Sequence, residues 1–141
     1  MAVTVKVDID ATAIERSRIT PELKTYANAR FYAYMYDYVP MRDGFLSANV
    51  QISDECVHFL SPYAARMYTG ERYNFRKDRH PLATAYWDRA ALSARKDRLI
   101  NDIEQAALHG SATMQQVIRL TTADIRQRLA DAERRRDDGG E

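Results

Sequence analysis

Four side chains are the strongest candidates for metal binding or covalent catalysis: His58, His80, His109 and the single cysteine, Cys56. A zinc site or an activated thiol needs partners at defined spacing, and no pair of these residues has it. His58 and Cys56 lie in a predicted strand, where a sheet-face residue and a small hydrophobe are the simpler interpretations. His80 precedes a proline and is predicted to form a hydrogen bond where a helix begins. The pattern predicts no enzymatic activity and no bound metal or cofactor.

Positive charge is concentrated in the middle of the chain. Residues 66–98 carry nine basic and four acidic side chains, a net charge of +5, whereas residues 1–65 and 99–141 each carry −2. Here the sequence RYNFRKDR interleaves cations with aromatic rings: Arg72, Tyr73, Phe75, Arg76, Lys77 and Arg79. Such a stretch, named here the basic segment (residues 72–79), can bind phosphates and stack on bases, or it can contact a protein partner. A solvated loop with two anchoring aromatic residues is the commoner outcome.

The length of 141 residues is typical of one domain that buries its core without disulfides. A single cysteine excludes a disulfide within the chain and suits a reducing compartment. The N-terminal sequence has no secretion-signal pattern, and no apolar run reaches the length that spans a membrane. We therefore expect a soluble protein that is made in a cytosol and does not bind membranes.

Hydrophobic spacing predicts the elements of the N-terminal half. Apolar and polar residues alternate over residues 3–9, as in a half-buried strand. Thr20 and Pro21 are typical first residues of a helix, which must end before Pro40. A second alternating stretch, which turns back on itself, predicts a β-hairpin at residues 45–60.

Proline and glycine mark the helices that follow. Pro62 predicts the start of a short helix that Gly70 closes. Pro81 predicts the start of a longer helix that ends near Gly110. Trp87 lies on this second helix and is expected to pack in the core against the sheet.

The C-terminal stretch completes the predicted fold. Residues 111–135 carry an apolar stripe, which must pack on the same domain or on a neighbouring subunit, and a neighbour is the preferred interpretation. The polar tail is expected to fray. The predicted class is α+β: a small antiparallel sheet, made of the N-terminal strand and the 45–60 hairpin, is packed by helices. Residues 1–110 are predicted to form the core domain and residues 111–141 a C-terminal helical extension.

Six aromatic residues crowd the first predicted helix: Tyr26, Phe31, Tyr32, Tyr34, Tyr36 and Tyr38. They cannot all face one core, and about half of them should lie on an outer face, given the width of an apolar stripe. Outward tyrosines beside arginines are typical of protein interfaces. Packing within the fold is the main interpretation of these rings, and a contact of the outward ones with another protein is the alternative.

Three motifs follow one another within the first 108 residues. They are VP-x-x-x-G-x-L (Val39, Pro40, Gly44, Leu46), SPYA-x-x-x-Y-x-G (Pro62, Tyr63, Tyr68, Gly70) and HP-x-A-x-x-x-W (His80, Pro81, Ala83, Trp87). In this order they resemble the minor capsid proteins of tailed bacteriophages, which are small head–tail joining or tail-completion proteins. Two features depart from the family pattern: the arginine-rich stretch between Gly70 and His80, and the extension over residues 109–141.

The resemblance implies a non-enzymatic virion protein of the siphovirus type, which forms a homo-oligomeric ring in the neck, between the portal or connector and the tail tube. Its implied partners are the connector or stopper, the tail terminator or tail tube protein, and double-stranded DNA that passes without sequence recognition. Assembly would take place in the cytoplasm of the bacterial host. The motif residues are expected to be scaffold, and the basic segment to face a partner or the channel. A nucleic-acid-binding module that uses residues 66–98 is the alternative.

Overall fold

A computed structural model describes residues 3–9, 14, 18–40, 44–70 and 80–139. Its elements are, in order, β1 (Val3–Val5), α1 (Pro21–Met35), a 3-10 helix (Tyr36–Tyr38), α2 (Phe45–Ala48), β2 (Val50–Ile52), β3 (Val57–Phe59), α3 (Ala64–Tyr68), α4 (Trp87–His109) and α5 (Ser111–Gly139). Three short strands form one sheet, and helices make up most of the rest of the described chain. The predicted α+β class is confirmed.

The sheet is antiparallel, with β3 in the centre between β1 and β2. Phe59 of β3 pairs with Val3 on one side and with Val50 on the other. Because directly paired side chains project from the same face of a sheet, these three residues form one apolar surface, and all three are buried. The N-terminal strand and the hairpin are both present, with shorter strands than the sequence predicted.

Helix α1 is the central element, since it packs against α4, α5 and the sheet. It begins as predicted: Pro21 is its first residue, and the Thr20 hydroxyl accepts a hydrogen bond from the Leu23 N–H at 3.1 Å. The 3-10 helix extends it by one turn. The backbone then becomes extended at Val39, as the following Pro40 requires.

Residues 45–48 form one helical turn, so the prediction that a strand begins at residue 45 is wrong. Gly44 has a φ of 91°, and its carbonyl oxygen accepts hydrogen bonds from the Ala48 N–H and from the Ser47 hydroxyl. Ser47 is only 1% exposed. The alternation of apolar and polar residues therefore did not mark a buried and a solvated face here, and the strand begins only at Val50.

Helix α3 begins at Ala64, two residues after the proline that was predicted to start it. Pro62 lies in a turn, which the hydrogen bond from the Ala64 N–H to the Ser61 carbonyl oxygen closes. The Ser61 hydroxyl does not cap the helix: it is buried and has no hydrogen-bond partner within the described residues. At the other end, the Gly70 N–H donates to the Met67 carbonyl oxygen.

Helix α4 begins six residues after Pro81, so the predicted helix start at that proline is also wrong. The intervening backbone N–H groups have partners in distant segments: Thr84 donates to the Tyr38 carbonyl oxygen at 3.0 Å, and Tyr86 donates to the Tyr68 carbonyl oxygen at 2.8 Å. Tyr86 also has a φ of 49°, in the left-handed region that interrupts a right-handed helix. The long-range hydrogen bonds thus replace the first helical turn.

Helix α5 packs on its own chain, against α1 and α2. Gly110 ends α4 as predicted, and its φ of 91° allows the chain to enter α5. Met114 and Ala132 of α5 are buried, and Val117, Ile118 and Ile125 are partly buried and pack against the core. The preference for a neighbouring subunit as the partner of this stripe is therefore wrong. The helix continues to Gly139, through most of the tail that was expected to fray.

Candidate assembly surface

The basic segment lies outside the described residues. The assignment of Arg72, Tyr73, Phe75, Arg76, Lys77 and Arg79 to a partner interface or a channel therefore stays a prediction. The residues on either side of this stretch, Gly70 and His80, are described, and both are buried. Their contacts show how the chain is held on each side of this stretch.

His80 is the first described residue after the basic segment. It is 6% exposed, and its Nδ1–H donates a hydrogen bond to the Val39 carbonyl oxygen at 2.7 Å. Its ring also meets the Tyr36 ring edge-on, with 4.6 Å between the centroids. The predicted hydrogen bond at a local helix start is therefore wrong, because the acceptor lies 41 positions earlier in the chain. The bond joins the first sequence motif to the third.

Tyr68 lies two residues before Gly70, on the other side of the basic segment. Its ring packs edge-on against Tyr86 at 5.1 Å and Trp87 at 5.0 Å, and its hydroxyl donates to Asp88 at 2.6 Å. Burial, and then the hydrogen bond to the Asp88 carboxylate, raise the pKa of the Tyr68 hydroxyl to about 12. The hydroxyl therefore remains a donor at neutral pH and ties the second motif to the third.

Trp87 connects these anchors to the sheet. It is 0% exposed, and its ring lies 5.3 Å from the ring of Phe59, the strand partner of Val50. The prediction of a core tryptophan against the sheet is confirmed. Its indole N–H is buried without a hydrogen-bond partner among the described residues, so packing alone holds the ring.

The remaining motif residues divide into a buried and an exposed group. Pro40, Gly44 and Leu46 are buried at the junction between α1 and α2. The exposed group is Pro62, Tyr63 and Pro81. Two non-motif leucines, Leu60 at 38% and Leu82 at 49%, are exposed beside the second and third motifs in the sequence. These motifs therefore supply surface as well as core.

Four rings of α1 and of the 3-10 helix contact arginines of the same chain. The distances from guanidinium carbon to ring centre are 5.2 Å for Arg30 and Tyr34, 5.1 Å for Arg95 and Tyr38, 3.9 Å for Arg128 and Tyr36, and 5.7 Å for Arg128 and Tyr32. Stacking of this kind is attractive because the ring faces are electron-rich. Arg95 and Arg128 thus help to hold α4 and α5 against α1, and a contact of the outward tyrosines with another protein stays a prediction.

Ion pairs reinforce the junction between α1 and α4. Asp102 accepts hydrogen bonds from the Arg30 guanidinium at 3.1 Å and from the Tyr34 hydroxyl. Arg95 donates to the Asp37 carboxylate at 3.1 Å and to the Tyr34 carbonyl oxygen at 3.0 Å. Sequence reasoning missed these partners, because they lie 58 to 72 positions apart and no local spacing indicates them.

No chemical centre is visible in the described part of the chain. Within it, no three histidine, cysteine, aspartate or glutamate residues are placed so that they could hold a metal ion. His80 bonds to Val39, and His109 bonds to Gln105 at 3.1 Å. His58 lies in β3, and Cys56 is a half-buried free thiol just before it. None of the described helices is long and apolar enough to cross a membrane.

The three motifs and the fold point to the class of phage virion components. Residues 4–111 match the profile of the family described as Minor capsid protein, and the chain belongs to that family. The resemblance seen in the three motifs is thereby confirmed. The match covers the chain as far as the first residue of α5. No curated protein and no solved structure matches the chain.

Proposed function

We propose that this protein forms a homo-oligomeric ring in the neck of a tailed phage of the siphovirus type, where it joins the DNA-filled head to the tail tube. Its role is structural and needs no catalysis or cofactor. Membership of the minor capsid family supports a place in the virion. The observation that carries the neck assignment is the anchoring of the basic segment between buried Gly70 and buried His80.

A ring would repeat this anchored segment once per subunit. The chain as a whole has a net charge of only +1, so the repeat would build a belt of positive potential from a nearly neutral subunit. Arginine favours a protein partner with acidic side chains, because its guanidinium binds carboxylates through two parallel hydrogen bonds. Tyr73 and Phe75 would be buried at such a contact, whereas a wet channel would leave them in solvent.

The partners would be the connector or stopper on the head side and the tail terminator or tail tube protein on the tail side. Double-stranded DNA would pass through the ring without sequence recognition, because tight binding would retard a genome that must pass. Residues 1–110 would form the joining domain, and residues 111–141 would be an extension specific to this chain. Assembly would take place in the cytoplasm of the bacterial host.

The test is charge reversal in the phage itself. Arg72→Glu with Arg76→Glu changes two cations of the basic segment. The matched control, Lys96→Glu with Arg98→Glu, reverses two exposed cations of α4. We expect the first variant to accumulate DNA-filled heads without tails, as seen by electron microscopy, and the control to assemble normally.

Other outcomes would contradict the proposal in distinct ways. Normal joining with slow or failed DNA ejection would place the segment in the channel. Fully infectious particles would mean that it is solvated surface. If the purified protein bound DNA with a strong salt dependence, and either charge-reversal variant weakened this binding, the nucleic-acid-binding alternative, which uses residues 66–98, would hold instead.

A further inference from the structure

Helix α5 carries opposite charges on two flanks of its outer surface. Its buried side is centred on Met114 and Ala132, and the surface away from it is solvent-exposed, including Leu120 at 58%. At 3.6 residues per turn, Arg119 and Arg126 project from one flank. Asp124 and Asp131 project from the other, roughly 140° around the helix axis.

The two arginines have no ionic partner in the described part of the chain. No acidic residue stands three or four positions from either of them along the helix. Both line an open groove of about 620 Å³ between α5 and the start of α1, where Glu22 is the nearby acid. Glu22 accepts a hydrogen bond from Gln115 at 3.2 Å. The groove thus leaves room for an acidic group from outside.

The opposite flank offers carboxylates at the same spacing. Arg119 and Arg126 are seven residues apart, about 10.5 Å along the helix, and so are Asp124 and Asp131. Asp124 is exposed. Asp131 accepts hydrogen bonds from Gln127 and Arg134 of its own helix, and a carboxylate has further lone pairs for another donor.

We propose that α5 of a second copy of this chain packs parallel to this surface. Arg119 would pair with Asp124 of the partner subunit, and Arg126 with Asp131 of the partner subunit. Both pairs have an offset of five residues, the offset between facing charged positions of two parallel helices in register. An antiparallel arrangement would instead set the arginine flanks against each other. Charge complementarity therefore favours a second copy of α5 as the partner, and a parallel orientation of the two helices.

This contact joins copies two by two and is additional to the contacts that would close the proposed ring. In this register the reciprocal pairs form as well, Asp124 with Arg119 of the partner subunit and Asp131 with Arg126 of the partner subunit, so the contact has two-fold symmetry. Leu120 and Ala123, which lie between the flanks, would be covered in the contact. The inference therefore gives α5 a role in assembly in addition to its packing on α1 and α2.

The test uses two charge-reversal variants of the full chain. The first carries Arg119→Glu and Arg126→Glu, and the second carries Asp124→Lys and Asp131→Lys. Each variant alone faces like charges across the contact, so its self-association in sedimentation velocity should be at least about tenfold weaker than that of the wild type. An equimolar mixture should associate again, because the reversed flanks are complementary. Lys96→Glu with Arg98→Glu is the control, and circular dichroism verifies that every variant is folded.

Each other outcome overturns the contact. If either variant associated like the wild type, or if folded variants failed to associate when mixed, α5 would not pair with itself in this way. If the first variant lost binding to a DNA duplex but kept its self-association, the two arginines would bind DNA and not a second copy of α5. A wild-type chain that stayed monomeric at every concentration would contradict the ring as well, whereas an oligomer unaffected by the substitutions would contradict only the α5 contact.

Discussion

The guanidinium carbon of Arg128 lies 3.9 Å from the centre of the Tyr36 ring. Arg128 belongs to α5, and Tyr36 to the 3-10 helix that follows α1. The same guanidinium donates to the Tyr32 hydroxyl at 3.3 Å, and that hydroxyl donates to the Ser47 carbonyl oxygen at 2.7 Å. One arginine therefore links α5, α1 and α2, which makes the C-terminal helix part of the folded core.

Replacement of Arg128 should destabilise the protein. We expect Arg128→Ala to lower the free energy of unfolding by about 1–3 kcal/mol, because it removes the stacking on Tyr36 and the hydrogen bond to Tyr32. The free energy of unfolding of Arg128→Lys should lie between those of the wild type and of Arg128→Ala, since an ammonium keeps the charge but loses the planar contact. Urea denaturation measures the effect, with Arg98→Ala on the exposed side of α4 as the control. Equal effects of the two alanine variants would contradict the linking role.

Trp87 should stabilise the fold mainly through the volume that its side chain fills in the core. Trp87→Ala is expected to cost about 3–5 kcal/mol, because it leaves a cavity beside Phe59 and Tyr68. Trp87→Phe should cost less than the alanine variant, since the buried indole N–H has no hydrogen bond to lose. Leu108→Ala, at a side chain that is 62% exposed, is the control and should stay within about 0.5 kcal/mol of the wild type. A thermal melt of Trp87→Ala that coincides with the wild type would place the ring at the surface.

The Tyr68–Asp88 hydrogen bond should make stability depend on alkaline pH. Burial and the carboxylate raise the pKa of Tyr68 in the folded state to about 12, above the ordinary value of 10.0. The folded state therefore holds this proton more tightly, so the contribution is fully present below pH 10 and is lost as the pH rises towards 12. Compared with Tyr68→Phe, the wild type should lose stability more steeply between pH 10 and pH 12. Tyr63→Phe, at an exposed ring, should follow the wild-type curve, and parallel curves for all three proteins would refute the assignment.

His80 should control access to the basic segment. His80→Phe keeps an aromatic ring beside Tyr36 but leaves the Val39 carbonyl oxygen without its donor, which costs free energy in a buried site. We expect tryptic cleavage within residues 72–79 to become several-fold faster than in the wild type, as mapped by mass spectrometry. His109→Phe, at an exposed position of α4, should leave the rate unchanged. A cleavage rate of His80→Phe equal to that of the control would show that the histidine does not anchor the segment.

Signals that act over a few residues were readable in the sequence. Thr20 caps α1 because its hydroxyl reaches the N–H only three positions later, and Gly110 ends α4 because its own φ permits the turn. The hairpin partners are likewise close in sequence, and a ring as large and apolar as that of Trp87 had to be buried. The three motifs were sufficient to indicate the family, because their residues stand at fixed spacings.

Only the tertiary structure shows which distant groups bind the backbone N–H groups and the aromatic rings. The helix-start signal at Pro81 was overridden because the N–H groups of Thr84 and Tyr86 bond to Tyr38 and Tyr68. The stacking of Arg95 on Tyr38 and of Arg128 on Tyr36 is likewise a long-range contact that the spacing of the tyrosines does not indicate. A proline or a tyrosine has the same local spacing whichever distant group it meets. Only the packing of α1 against the later helices brings those groups within hydrogen-bonding or stacking distance.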